Sequence, residues 1–296
     1  MNLGCRVNRV ELDSMATRLE SAGLVLTGEA DADYIVINTC AVTGEAEAKT
    51  RKAIRHAAAR PQGPLVVATG CVASLFADEL AALSPNVRVV ANKCEVADFV
   101  IGLAEENAKG LGEAEVSAPI HASVTPTGRT RPGVQVQDGC DNRCTYCIIW
   151  KARGKARSFD PDGIVDEVRA AMGRGAHEVV LTGINLGDYR WRSGEGRMRL
   201  PGLLSLLLER TGVERLRLSS IEPPDVTEEL VRLMAASDGR IAPFLHICLQ
   251  SGCDDTLRRM ARVYRTDQFR ENVERAREAM PDIALGTDLI VGFPGE

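Results

Sequence analysis

Val134–Arg157 reads V-Q-V-Q-D-G-C-D-N-R-C-T-Y-C-I-I-W-K-A-R-G-K-A-R, and the rest of the chain takes its meaning from this stretch. Val134 and Val136 alternate with Gln135 and Gln137, the period-two pattern of a short strand. Asp138-Gly139 then breaks it. Cys140, Cys144 and Cys147 therefore fall on a loop just past a strand end. Three thiolates do not complete a structural zinc site, which takes four protein ligands. On a cubane iron–sulfur cluster three thiolates leave one iron open, and an open position points to chemistry rather than scaffolding. The competing reading is a zinc knuckle completed by a distant Cys or His.

Outward from this loop, the composition is that of an ordinary globular chain. Of 296 residues, 45% are hydrophobic and 26% charged, enough for two domains. No apolar run approaches the roughly 18 residues that span a membrane, and no charged-then-apolar leader opens the sequence. Nine cysteines without an export signal fit thiolate metal binding in a reducing cytoplasm better than disulfides. The net charge of −5 is not that of a global nucleic-acid binder, so RNA binding requires local patches or a further segment.

The first hundred residues alternate strand and helix. Tyr34–Ile37, Leu65–Ala68 and Val87–Val90 are continuous apolar runs of buried parallel strands. Helical spacing covers Val10–Ala22, Glu45–Arg60 and Glu95–Leu103, and Ser74 is a candidate cap for a helix reaching Leu83. The alternation predicts an α/β, doubly wound parallel sheet over 1–103. Cys5, Cys40 and Cys71 each follow a strand end, the edge where such sheets bind ligands. Cys94 also follows a strand and competes as a ligand, and each thiol alone reads equally well as a small core residue. Lys49, Arg51, Lys52, Arg55 and Arg60 form either an RNA-facing series or a solvated helix face.

Residues 104–132, with scattered Gly, Pro, Ser and Thr, read as a linker in which His121 is an ordinary surface residue. In 133–296, strands at Val134–Gln137, Glu178–Thr182, Arg215–Ser220, Phe244–Gln250 and Ile283–Val291 are separated by helices at Pro161–Met172, Leu203–Glu209, Glu228–Ala236 and Asp267–Ala279. Five such units predict a partial parallel (β/α) barrel, with its chemistry at the carboxyl ends of the strands. There lie Gly183 and Asn185, Ser219, Ser220 and Glu222, Gln250, and Asp288. The loop of Gly183 and Asn185 alone reads equally well as a turn, and Ser219, Ser220 and Glu222 as a capped turn; none of the four groups is decisive alone. Cys248 and Cys253 lack a short-spaced partner and read as non-ligands. Arg143, Lys151, Arg153, Lys155 and Arg157 could hold a carboxylate or an RNA backbone, or be solvated loop charge.

C-x-x-x-C-x-x-C with Tyr146 before the last cysteine resembles the radical S-adenosylmethionine (SAM) superfamily. Q-D-G-C-D-N-R-C-T-Y-C-I-I, followed by A-R-G and A-R-S, resembles its methylthiotransferases, as do L-G-C-R-V-N, I-N-T-C-A-V-T and T-G-C-V-A in the first half. The resemblance covers nearly the whole chain. It implies two [4Fe-4S] clusters, one on Cys140, Cys144 and Cys147 that binds SAM and one on Cys5, Cys40 and Cys71 that carries the inserted sulfur, with Cys94 excluded. It also implies SAM contacts from Tyr146, Gly183, Asn185, Ser219, Glu222, Gln250 and Asp288. In the implied reaction one SAM methylates the cluster-bound sulfur, and a second yields a 5′-deoxyadenosyl radical that abstracts hydrogen from the substrate.

N-T-C-A-V-T followed by E-A-x-x-K resembles most the branch acting on C2 of N6-threonylcarbamoyladenosine at position 37 of tRNA. Branches acting on isopentenyladenosine or on a ribosomal-protein aspartate are the alternatives. The implied partners are tRNA, a flavodoxin- or ferredoxin-type electron donor and a sulfur donor, with no membrane and a monomeric state. Trp150 and Lys151 stand where the family usually has Pro and an aromatic, which puts the neighbouring substrate wall in question. Both ends look trimmed; relatives are expected to continue into the rest of the barrel and a small RNA-binding TRAM domain. A non-catalytic iron–sulfur or zinc scaffold is the remaining alternative; ferredoxin spacing is absent.

Overall fold

The computed structural model describes residues 1–108, 125, 128–194 and 196–296. It divides into two units, Met1–Arg129 with Lys151–Arg153, and Thr130–Trp150 with Gly154–Glu296.

In the first unit the elements are α1 (Arg6–Ser21), β1 (Tyr34–Thr39), α2 (Gly44–Ala58), β2 (Leu65–Gly70), α3 (Cys71–Leu75), α4 (Ala77–Ala81), β3 (Val87–Val89) and α5 (Val96–Ala108). β1, β2 and β3 form a parallel sheet in that order. Met1–Leu3 runs beside β1: the Leu3 amide donates to Asn38 O and the Asn38 amide to Met1 O, both at 3.0 Å. Leu12, Met15 and Leu19 of α1 pack with Val96, Ala97 and Val100 of α5 and Val67 of β2. Burial of each large apolar side chain contributes about 1.5–3 kcal/mol.

Three boundaries differ from expectation. α1 begins four residues before Val10, because Val7 is also buried and Cys5 sits at the N-cap. Ser74 caps nothing: it lies inside α3, where its hydroxyl donates to Gly70 O at 3.0 Å, and α4 starts without a side-chain cap. α5 runs on to Ala108, five residues past Leu103. Most of 104–132, His121 included, lies outside the described residues.

The second unit contains β4 (Gly133–Gln135), β5 (Gln137–Asp138), α6 (Ile149–Arg153, its last residues counted with the first unit), β6 (Arg157–Ser158), α7 (Pro161–Gly173), β7 (Glu178–Thr182), β8 (Arg190–Ser193), β9 (Gly196–Arg199), α8 (Leu200–Arg210), β10 (Arg215–Leu218), β11 (Ser220–Ile221), α9 (Glu228–Ala236), β12 (Phe244–Ile247), α10 (Asp254–Arg259), α11 (Thr266–Ala279) and β13 (Ala284–Gly286). β4, β7 and β10 are parallel neighbours, as are β11, β12 and β13. The five barrel positions thus follow chain order, as a partial (β/α) barrel requires. Asp160 and Thr227 cap α7 and α9, each accepting an amide from three residues on.

The expected strands are subdivided where the sheet changes partners. Val136 separates β4 from β5, which pairs antiparallel with β6. Ser219 separates β10 from β11: its amide still donates to Leu181 O, whereas Ser220 pairs with His246. The last strand is only Ala284–Gly286, with one isolated bridge from Leu289 to Gln250.

Candidate functional site

The first cysteine trio is assembled by sheet register. Thr39 pairs with Gly70 across β1 and β2, so Cys40 and Cys71 each leave adjacent parallel strands one residue past the aligned ends. Met1–Leu3 delivers Cys5 to the same edge. Burial raises the pKa of the Cys40 thiol, and negative charge on Cys5 and Cys71 raises it further. Gly70, at φ +94°, turns the strand directly into α3; a Cβ there would lie 2.4 Å from Asn38 Oδ1 and 2.5 Å from Thr39 O.

Beneath the trio is a buried polar ladder. Asn8 Nδ2 donates to Asn38 Oδ1 at 2.8 Å and to Thr39 O at 2.9 Å, and the Cys5 thiol donates to Asn8 Oδ1 at 3.1 Å. Thr39 Oγ1 accepts the Val72 amide at 3.1 Å while donating to Thr69 O at 2.6 Å. Glu11 takes Lys93 Nζ at 2.9 Å and Arg153 Nη1 at 2.7 Å. Arg153 is therefore a buried partner of Glu11 and Asn8 in the first unit rather than a cation open to RNA or a SAM carboxylate. Cys94, the competing thiol, is exposed in a short 3-10 turn.

The second trio sits on the loop between β5 and α6. Gly139, at φ +71°, lets the loop pass against 154–155: a Cβ would lie 2.0 Å from Lys155 O. The Cys140 amide donates to Gly154 O at 3.0 Å and the Cys147 amide to Cys144 O at 3.1 Å. Burial pushes the Cys140 thiol up to about 11, with Glu222, Cys144 and Cys147 adding to it. Burial likewise raises Cys147. Thiols that burial holds protonated lose the proton readily only to a cation that takes the sulfur's charge.

Arg262 is the residue that motif reading missed. Its guanidinium donates to Cys144 Sγ at 3.0 Å, to Glu222 Oε1 at 2.7 Å and to the Tyr264 hydroxyl at 3.0 Å. Asn142 Nδ2 donates to the other Glu222 oxygen at 3.0 Å. Tyr146 lies in the same field, its phenol raised chiefly by burial. Gly183 packs on Gln137, whose Oε1 accepts the Asn185 amide at 2.9 Å. Asn185 Oδ1 and Ser219 Oγ are buried without a hydrogen-bond partner among the described residues. Gln250 holds φ +67°, a left-handed conformation unusual for a residue with a side chain, and its amide donates to Asp288 O at 3.0 Å. The mostly exposed Asp288 carboxylate lies 3.5 Å from His246 Nε2.

Sequence comparison agrees with this layout. Residues 134–296 match the family described as the Radical SAM superfamily, and 1–92 match Uncharacterized protein family UPF0004. The threonylcarbamoyladenosine tRNA methylthiotransferase MtaB of Thermotoga maritima is 37% identical over 99% of this chain and 67% of its own length. The chain belongs to the radical SAM methylthiotransferase family. The tRNA-2-methylthio-N(6)-dimethylallyladenosine synthase of Salinispora arenicola is 36% identical over 99% of the chain and 60% of its own length. Among solved structures, the radical SAM methyltransferase TsrM from Kitasatospora setae, with cobalamin and a [4Fe-4S] cluster bound, superposes with a TM-score of 0.57 at 16% identity, over 94% of this chain and 65% of that one. That likeness is one of fold.

Family membership implies SAM and a [4Fe-4S] cluster, and the residues present suit both. No three His, Cys, Asp or Glu among the described residues are placed to hold a single metal ion, whereas a cubane takes each thiolate on a different iron. The unsatisfied Asn185 and Ser219 oxygens, beside a glycine pressed on Gln137, suit a polar ligand such as SAM. In this methylthiotransferase Trp150, at the departure from the family pattern, lies under the Arg143 guanidinium at 4.2 Å. Arg157 pairs with Asp138, which takes a second of the loop cations out of contention for a ligand. In the Lys49–Arg60 series three of the five cations are acid-paired, through Lys49–Glu45, Arg51–Glu47, Arg51–Glu79 and Arg60–Glu29. No helix among the described residues is long and apolar enough to cross a membrane.

Proposed function

We propose that this chain carries the methylthiotransferase chemistry that modifies C2 of N6-threonylcarbamoyladenosine at position 37 of tRNA. The observation that carries the reading is the pair of cysteine trios, the first at the carboxyl edge of the β1–β2 parallel pair and the second on the loop after β5. When bound, a cluster at Cys140, Cys144 and Cys147 with SAM supplies a 5′-deoxyadenosyl radical, and a second cluster at Cys5, Cys40 and Cys71 supplies the sulfur. The chain's own part is to hold and orient. Gly183 gives backbone room, Asn185 and Ser219 offer open hydrogen-bonding atoms, and Arg262 fixes both Cys144 and Glu222. Tyr146, Gln250 and Asp288 are the remaining SAM contacts in this reading. Electrons come from a flavodoxin- or ferredoxin-type donor and sulfur from a separate donor.

The near-equal identity to dimethylallyladenosine-directed enzymes favours one second reading, the same chemistry on isopentenyladenosine. Mass spectrometry of nucleosides from tRNA of cells lacking and re-expressing the gene separates them. A methylthio mark returning on threonylcarbamoyladenosine supports the proposal, and a mark returning only on isopentenyladenosine defeats it.

A further inference from the structure

The hairpin β8–β9 has a composition that the chemistry above does not use. Arg190–Arg199 reads R-W-R-S-G-E-G-R-M-R, four arginines and no lysine, with one acid, Glu195. The register pairs Arg190 with Arg199 and Arg192 with Arg197, while Trp191 pairs with Met198. Alternation along a strand therefore puts all four arginines on one face and the partly buried Trp191 and Met198 on the other. Like charges directly opposite on a ribbon destabilise it, and a two-stranded ribbon is marginal on its own.

The ribbon is secured at its root instead. Tyr189 is fully buried with its hydroxyl donating to Phe159 O at 3.0 Å, and the Arg190 amide donates to Ser158 Oγ at 2.7 Å. Asp188 pairs with Arg190 at 2.7 Å, but Arg192 and Arg197, both exposed, form no ion pair with any described residue. A chain of net charge −5 thus concentrates exposed, like-charged guanidinium groups on one ribbon face. Guanidinium forks match phosphate oxygens two at a time. The ribbon also begins directly after the 183–188 loop that bears Gly183 and Asn185.

We propose that the arginine face of β8–β9 grips the phosphate backbone of the RNA substrate. The inference rests on the tRNA reading above and supplies the local basic patch that the acidic net charge demands. Substrate phosphates lying across Arg192 and Arg197 neutralise the cross-strand repulsion, so the ribbon gains order when RNA binds.

The test is fluorescence anisotropy of labelled, unmodified tRNA against the whole chain over a range of salt concentrations, for the parent, the Arg192→Gln/Arg197→Gln variant and the Arg192→Lys/Arg197→Lys variant. The Gln pair is expected to weaken binding about tenfold or more at low salt and to flatten the slope of log Kd against log salt by about two. The Lys pair keeps the slope, and iron content and SAM binding stay at the parent level in both. An unchanged slope and affinity in the Gln pair overturns the inference while leaving the tRNA reading intact. Displacement of tRNA by polyglutamate as readily as by unlabelled RNA reassigns the face to an acidic protein and also overturns it. Absence of tRNA binding by the parent, together with no methylthio mark on tRNA, defeats both.

Discussion

Arg262 ties Cys144, a cluster ligand in the proposed reading, to a half-buried carboxylate. Its side chain is 4% exposed and that of Glu222 17%. Removing one member of such a pair leaves an uncompensated buried charge, a loss of about 3 kcal/mol or more. Arg262→Ala is therefore expected to destabilise the chain by about that amount in chemical denaturation, and Arg262→Met/Glu222→Met by clearly less, because no lone charge remains. A single substitution costing under about 1 kcal/mol would show that the pair is not structural. At this scale the C-x-x-x-C-x-x-C of Cys140, Cys144 and Cys147 stands out in the sequence because its spacing is local. Arg262 does not, because its contact with Cys144 joins residues 118 apart and nothing in R-V-Y marks it. Arg153 shows the converse: it was recognised as one of a crowd of cations, but its burial against Glu11 follows from a partner in α1, 142 residues away.

The decisive elements are the two turns that release the cysteines. Both depend on a glycine at positive φ pressed against backbone, Gly70 on Thr39 and Gly139 on Lys155. A Cβ at either position must displace main chain, which no side-chain adjustment relieves. Gly70→Ala is expected to lose the iron held by Cys5, Cys40 and Cys71, and Gly139→Ala that held by Cys140, Cys144 and Cys147. Each then retains about four irons, counted after anaerobic reconstitution. Full iron loading in Gly70→Ala, with the native circular dichroism spectrum, would contradict this. The strand leading to Gly70 was legible as a continuous apolar run and the one leading to Gly139 as a period-two alternation. The hairpin β8–β9 was not, because a ribbon of arginines with a single Trp–Met pair carries almost no apolar alternation. The strand breaks at Val136 and Ser219 were hidden too, since a change of hydrogen-bonding neighbour leaves no trace in local hydropathy.

At the scale of the molecule, the two trios are gathered differently: in the first unit parallel strands end together and bring Cys40 and Cys71 to one edge, whereas in the second all three thiols sit on the one loop after β5. The α/β alternation and five barrel positions were legible from sequence, and the structure adds the register that gathers the first trio from residues 5, 40 and 71. The most direct measurement is iron, acid-labile sulfide and zinc per chain after anaerobic reconstitution. It compares the parent with Cys5→Ala/Cys40→Ala/Cys71→Ala and Cys140→Ala/Cys144→Ala/Cys147→Ala. Two cubanes predict about eight irons in the parent and about four in each variant. About four irons in the parent, all lost with the second trio alone, or zinc in place of iron at either trio, would contradict the account.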